Sequence, residues 1–469
     1  MACGDPALVV IEEHIVDARN VPRRMNTFLT IWLGQVVSLV GSGLTSFALG
    51  VWVFEQTGSA TQFALIGLSA VLPRVLLSPL AGTVVDRWDR RRVMILSDAG
   101  AGLSTLAIVL LLWTHQLGGQ GNSLGIWPIY ALTFVNAAFG TLQWPAFAAT
   151  TSLLVPKENL GRANGLVQFG QAASEILAPA LAGVLMGIIH LQGVILIDVV
   201  TFVFAVITLL LVRLPKPEAS PQTGPGRVTL WHDLTLGWRY IRARPGLKGL
   251  LLFFAVVNFL WGMVGALITP MILGWTSSEE LGLIIAIAGA GMFAGSLLMS
   301  VWGGPQRRIN AVLSFEFLSG ICFMLMGLRP SFWLVAAGAF GAHVTIAVVF
   351  GANQAIWQSK VAPEVQGRVF ATQQMVARAA SPLAYALAGP LADGVFDPLL
   401  TVDGPLASGI GQVLGTGPGR GIGLLFLLMG AAKVAVVLIG RSRPHIRNVE
   451  DELPDAVLMP AGSSSRANL

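Results

Sequence analysis

Asn164, Gln168, Gln171 and Glu175 follow one another at steps of four, three and four residues inside an otherwise apolar run. That spacing lines them up along one face of a helix. Gln374, Arg378, Ser381 and Tyr385 repeat the same steps later in the chain. Polar groups are costly in such a setting, so they are kept for ion pairing, proton uptake or ligand contact. A carboxylate there can take up a proton or hold a cation, and an arginine can balance it or hold an anion. Glu175 is therefore expected to be the main proton-linked acid, with Arg378 as charge partner or anion contact. A static ion pair between two helices is the competing reading. Arg74, deep in another apolar run, could gate or pair with a neighbouring acid.

The elements that must position these residues are runs long enough to cross a bilayer, whose core of ~30 Å takes about 20 residues of helix. They lie near 28–54, 61–85, 93–114, 125–149, 164–187, 190–213, 249–274, 281–303, 308–328, 331–357, 368–396 and 420–440. Basic residues sit on alternate connections: Arg19, Arg23 and Arg24; Arg87 and Arg90 to Arg92; Lys157 and Arg162; Arg213 to Lys248; Arg307 and Arg308; Lys360 and Arg368; Arg441 to Arg447. The opposite side carries Arg329 and Arg420. By the positive-inside rule both termini and the middle segment are expected in the cytoplasm.

Composition agrees: 54% hydrophobic and 11% charged residues, with a mean hydropathy of +0.72, exclude an ordinary soluble chain. The topology explains the net charge of +5, so no nucleic-acid partner is expected. Cys3 and Cys322 suggest neither a disulfide framework nor a metal site. Glu12, Glu13, His14 and Asp17 interrupt the early apolar stretch, which argues against a cleaved signal peptide. The expected organisation is an N-terminal arm (1–24), a six-helix bundle (25–213), a linker (214–248), a second six-helix bundle (249–440) and a tail (441–469). The linker opens with a Pro-, Ser- and Gly-rich stretch. It then sets Trp231, Leu234, Trp238 and Ile241 on one face of an amphipathic helix, lying at the membrane interface or packed on the helix ends. The tail beyond Arg443 is expected to be disordered, and Lys433 to snorkel toward the cytoplasmic interface.

The halves repeat each other. Gly161-Arg162, Gln168 and Leu181-Ala182-Gly183 recur at a constant offset as Gly367-Arg368, Gln374 and Leu387-Ala388-Gly389. Parallel repeats of six helices build a large class of secondary transporters, with the substrate between the halves. The loop Gly82-Thr83-Val84-Val85-Asp86-Arg87-Trp88-Asp89-Arg90-Arg91-Arg92 resembles the signature loop of the major facilitator superfamily. Gly82 would allow close packing, Asp86 could meet a helix N-terminus or a basic partner of the other half, and Arg87, Arg90 and Arg91 could pair with carboxylates to gate the cytoplasmic face. Simple positive-inside anchoring accounts for the arginines but not for Gly82 and Asp86. The second-half loop, Gly303 to Arg308, lacks the acid. Gly165, Ser174, Ala178-Pro179 and Ala182-Gly183 resemble the fifth-helix motif of proton-coupled antiporters, with Ala or Ser for several Gly.

Within that superfamily the chain resembles macrolide-efflux and enterobactin-exporter-like proteins over roughly residues 25 to 440. Val51 to Thr61, Gly237 to Ile241 and Gly367 to Phe370 carry the likeness. It implies an all-α membrane protein of twelve helices in two pseudo-symmetric bundles, in a bacterial inner membrane. It also implies export of amphipathic drugs or metabolites by alternating access and proton antiport. Export of one siderophore or metabolite, or movement of a lysophospholipid-type lipid, is the alternative. Asn136, Gln143, Gln168, Gln171, Asn258, Trp261, Gln354, Trp357, Gln374 and Tyr385 fall on expected cavity helices and could meet such a ligand. Asp198 and Glu316 fall on helices that usually lie outside and are expected to be structural. The expected partners are the substrate, protons and lipid, for a monomer without cofactor. No catalytic cluster or soluble domain supports an enzyme.

Overall fold

The computed structural model describes residues 25–114, 125–155, 159–212, 237–361 and 363–452. Four long helices come first: α1 (Met25–Thr57), α2 (Ala60–Arg87), α3 (Arg90–Trp113) and α4 (Trp127–Leu154). A continuous run, Leu160–Leu211, breaks at His190, where φ is 58°, into α5 (160–189) and α6 (191–211). The second half holds α7 (Pro245–Leu273), α8 (Ser278–Trp302), α9 (Arg308–Leu328), α10 (Phe332–Lys360), α11 (Pro363–Leu391) and α12 (Arg420–Ser442). The expected spans thus match helices one for one. α7 starts inside the segment assigned to the linker, and a π-turn, Ala392–Phe396, follows α11 within the last stretch of the eleventh expected span.

Local chemistry sets several boundaries. Ser59, Asp89 and Ser277 cap α2, α3 and α8 by accepting from the backbone N–H three residues on. Gly303 ends α8 at φ 69°, a left-handed conformation that a side chain would strain. Helix ends divide between a basic face, with the start of α1, the Arg90–Arg92 cluster and the end of α12, and a far face.

Each half packs around its own helices: α1 on the α5–α6 run, α3 on α4, α9 on α10 and α12, and α7 on α11. The halves meet through α2 against α11 and α5 against α8. One buried cluster crosses this seam, joining Val51, Ala60 and Ala64 to Leu267, Leu281 and Ala388. It lies toward the far face. Toward the basic face the clusters are separate, one around Phe28, Met94 and Ala163, the other around Ile241, Leu250 and Trp357. The far end of the seam is therefore packed shut.

Three expectations need correction. Lys433 does not snorkel: it is fully buried, with Nζ 2.8 Å from Glu316 and 2.7 Å from the Ser319 hydroxyl. Its stem would have to run about two turns of helix to reach Arg441, whereas Glu316 is one helix away. Trp357 is no cavity wall: it is fully buried and donates to Asn353 Oδ1 at 3.1 Å. The start of the tail is ordered: Pro444–Arg447 and Val449–Glu452 are short helices with Val449 fully buried. The expectations for Trp231, Leu234 and residues 453–469 fall outside the described residues. Residues 237–242 are helical, Ile241 is fully buried, and Gly237 lies against Arg368 and Thr372 of α11. This part of the linker packs on helix ends.

The tail supplies an acid that the second-half loop lacks. Glu450 Oε2 accepts from Ile309 N–H at 2.8 Å, in the first turn of α9, and Lys360 Nζ donates to the Glu450 carbonyl at 2.5 Å. Arg307 and Asp451 pair at 3.1 Å but are both more than half exposed. Glu450→Ala is expected to lower stability by about 1 kcal/mol, as loss of a helix cap does. Asp451→Ala should change it by less than about 0.5 kcal/mol, because exposed pairs contribute little. Thermal unfolding of the two purified variants separates these outcomes.

Candidate transport cavity

A cavity of 340 Å³ lies in the seam, lined by Gly43, Ser46 and Phe47 of α1, Phe63 of α2, Ser174, Glu175, Ala178 and Pro179 of α5, and Thr269 of α7. Pro179 lies within the helical run of α5, where it removes a backbone donor and favours a bend. Glu175 is exposed to this space, while Ser174 beside it is buried and donates to the Leu39 carbonyl at 3.0 Å. The lining thus combines two aromatic rings, three hydroxyls and one carboxylate, a set suited to an amphipathic guest.

The second polar stripe faces the same seam from α11. Tyr385 packs against Gly67 of α2, where an added Cβ would fall 2.1 Å from its ring. Arg74 of α2 lies in the neighbourhood of Tyr385 and Arg378 of α11. Arg74, Gln374 and Arg378 are exposed, and Gln171 is half-buried. Glu175 and Arg378 form no ion pair here, so the static-pair reading gains nothing from this geometry.

Other expected contacts are spoken for. Asn136 Nδ2 donates to the Ala101 carbonyl at 3.1 Å and to Thr105 at 3.2 Å, tying α4 to α3. Trp261 packs edge-on to Phe323 and His343 and is 5.0 Å from Lys433 Nζ. Asn258 and Gln354 are half-buried. The side chains of Gln168, Asp86 and Arg87, and the surroundings of Gly82, lie outside what the structure describes. Arg90 donates to the Ala149 carbonyl at 3.0 Å, and Arg91 to Leu209 and Leu210 at 2.9 and 2.8 Å. Both therefore hold helix ends of their own half together. Asp198 accepts from Ser42 at 3.3 Å within the first half, and Glu316 holds Lys433 within the second.

Sequence reasoning missed Asp98. It is buried in α3 and accepts from Gln35 Nε2 at 2.9 Å and from Gln143 Nε2 at 3.2 Å; Gln143 also bonds Gln35. A lone Asp in an apolar span was the available signal. Phe47 and Phe63 carried none, since any aromatic in such a run reads as core or lipid contact.

Beyond α11, the half-buried Asp397 carboxyl is pushed up to about 6 by burial and by nearby Asp393, against backbone N–H groups of Ile422 and Gly421 that lower it. Its ordinary value is 3.8. The folded chain thus keeps a proton that the unfolded chain releases, and stability falls as pH rises from about 4 through 6. Asp397→Asn should gain on the parent by about 1 kcal/mol between pH 5 and 8, allowing for partial exposure. Unfolding midpoints at the two pH values measure this.

A profile of the Major Facilitator Superfamily matches residues 31–385. Macrolide efflux protein A of Streptococcus pyogenes is 31% identical over 378 residues, covering 78% of this chain and 90% of that protein. Multidrug efflux pump Tap of Mycobacterium tuberculosis is 24% identical, covering 77% and 86%. Among solved structures, a bacterial homologue of the lysosomal transporter Spinster superposes with a TM-score of 0.67 at 15% identity, over 92% of this chain and 98% of that one. The nucleoside transporter NupG gives 0.67 at 12%, over 88% and 98%. These two likenesses show the fold. Profile, relatives and fold agree: the chain belongs to the Major Facilitator Superfamily.

Proposed function

We propose that this multi-pass membrane protein exports amphipathic organic molecules, drugs or secondary metabolites, across a bacterial plasma membrane in exchange for protons. The observation that carries the reading is the cavity in the seam: apolar and aromatic walls around one exposed carboxylate, beneath a far face that is packed shut. The names of the macrolide and multidrug efflux relatives support the substrate class. The excess of Lys and Arg supports a cytoplasmic basic face, with both termini there and the far face outside. The state described is then closed outward, with Arg74, Gln374 and Arg378 exposed on the cytoplasmic side of the closure.

In this reading the halves rock about the cavity, and proton and substrate favour different states of Glu175. A proton entering from outside neutralises Glu175, and its release to the cytoplasm frees the carboxylate for substrate. Arg378 and Arg74 set the local field, Asp86 and Arg87 gate the cytoplasmic face, and the protein acts as a monomer.

The test is accumulation of a panel of fluorescent amphipathic dyes and antibiotics in pump-deficient cells, with and without a protonophore. Lower accumulation that the protonophore abolishes is expected. No change across the panel, with the protein present in the membrane, would contradict broad export and favour a single metabolite, siderophore or lipid.

A further inference from the structure

We propose that Asp393 is the outer latch of the cycle: a carboxylate from one half that holds the outer face shut by capping a helix of the other half, and that must let go before the cavity opens outward. This rests on the alternating-access reading above.

α2 and α11 run antiparallel across the seam, so the end of α11 meets the start of α2. The first N–H groups of a helix lack intrahelical partners and form the positive end of its dipole. Asp393 occupies that position. Its Oδ1 accepts from Ala60 N–H at 3.0 Å, and its Oδ2 from Thr61 N–H at 2.9 Å and from the Ser59 hydroxyl at 2.6 Å. Hydrogen bonds to an ionised acceptor are about twice as strong as neutral ones. The backbones also touch: a Cβ on Gly389 would lie 2.3 Å from Thr61 Cα, so only glycine lets the helices close to this distance.

Two observations separate a latch from ordinary helix capping. First, α2 already has its own cap, because Ser59 Oγ accepts from Gln62 N–H. Asp393 adds donors held between halves, which the first half does not need in order to fold. Second, the π-turn Ala392–Phe396 inserts an extra residue just where the carboxylate is presented, and such bulges are frequent at functional positions. Asp397, one turn later, stays inside its own half, where Gly421 at the start of α12 packs on its backbone. The two acids thus differ in what they join.

The arrangement is also reversible. When α2 swings from α11, Asp393 and the freed N–H groups reach water, which replaces the lost bonds. The latch therefore biases the closed state without locking it.

The test places a cysteine in the cavity, Ser46→Cys, in a full-length chain also carrying Cys3→Ser and Cys322→Ala. Labelling by a membrane-impermeant thiol reagent is followed from outside on cells and from the cytoplasmic side on inverted vesicles. Asp393→Ala should raise the outside rate by at least about tenfold, an equilibrium shift of about 1.4 kcal/mol. Asp393→Asn, which keeps one acceptor oxygen, should fall between, and Asp397→Asn should leave the rate unchanged. An outside rate unmoved by both Asp393 variants at normal protein levels, or raised equally by Asp397→Asn, overturns the latch while leaving the transport reading intact. Absence of labelling from either side overturns the transport reading, and the latch with it.

Discussion

Lys433→Met is expected to cost the second half about 3–5 kcal/mol, the usual penalty for leaving the partner of a buried ion pair uncompensated. Lys433 is fully buried between α9 and α12, paired with Glu316, hydrogen-bonded to Ser319, and flanked by Phe323 and Trp261 at 4.5 and 5.0 Å from their ring centroids. Glu316 is itself 2% exposed, so removing the cation strands a carboxylate with nowhere to go. The double variant Lys433→Met with Glu316→Gln should recover most of the loss, because both charges then leave together. Thermal unfolding of detergent-purified protein reads the difference. Equal destabilisation of the single and double variants would show that packing volume matters and charge does not.

The second large effect concerns Glu175. Glu175→Gln keeps the shape of the cavity and removes the titratable group. Energetic coupling between two ligands of one protein commonly corresponds to about 5- to 150-fold. Export should therefore fall by at least about tenfold, and what remains should lose its dependence on external pH. Gln143→Leu, by contrast, should act through stability, since it removes one of the two amide donors that hold the buried Asp98. Wild-type export with an unchanged pH profile in Glu175→Gln would move the proton to another carboxylate, with Asp98 the first to examine.

Much of the architecture was legible because a bilayer demands long apolar runs, and those runs recur as the long helices of both halves. The recurring polar stripes likewise placed Glu175 and Tyr385 on the seam, since helical spacing alone decides which residues share a face. Contacts between distant residues were not legible. Lys433 and Glu316 are separated by more than a hundred residues, and each alone suggested a different fate. Asp393 was hidden inside the eleventh apolar run, where nothing local announces a π-turn or a helix of the other half. Trp357 shows the converse: a Trp on an expected cavity helix can face either the cavity or the bundle core, and phase relative to Gln354 does not settle which. The ordered start of the tail was not legible because its composition is polar, while its anchoring rests on buried Val449 and on an N–H group at the start of α9.

The most direct test of proton-coupled export is simultaneous measurement of substrate and proton flux in vesicles reconstituted with the purified protein, using a fluorescent amphipathic dye found by the accumulation screen. An imposed pH gradient should drive the dye against its own gradient, protons should move in the opposite direction, and in Glu175→Gln the gradient should neither drive the dye uphill nor be accompanied by proton flux. Dye transport that proceeds at the same rate without a pH gradient, and moves no protons, would contradict the account.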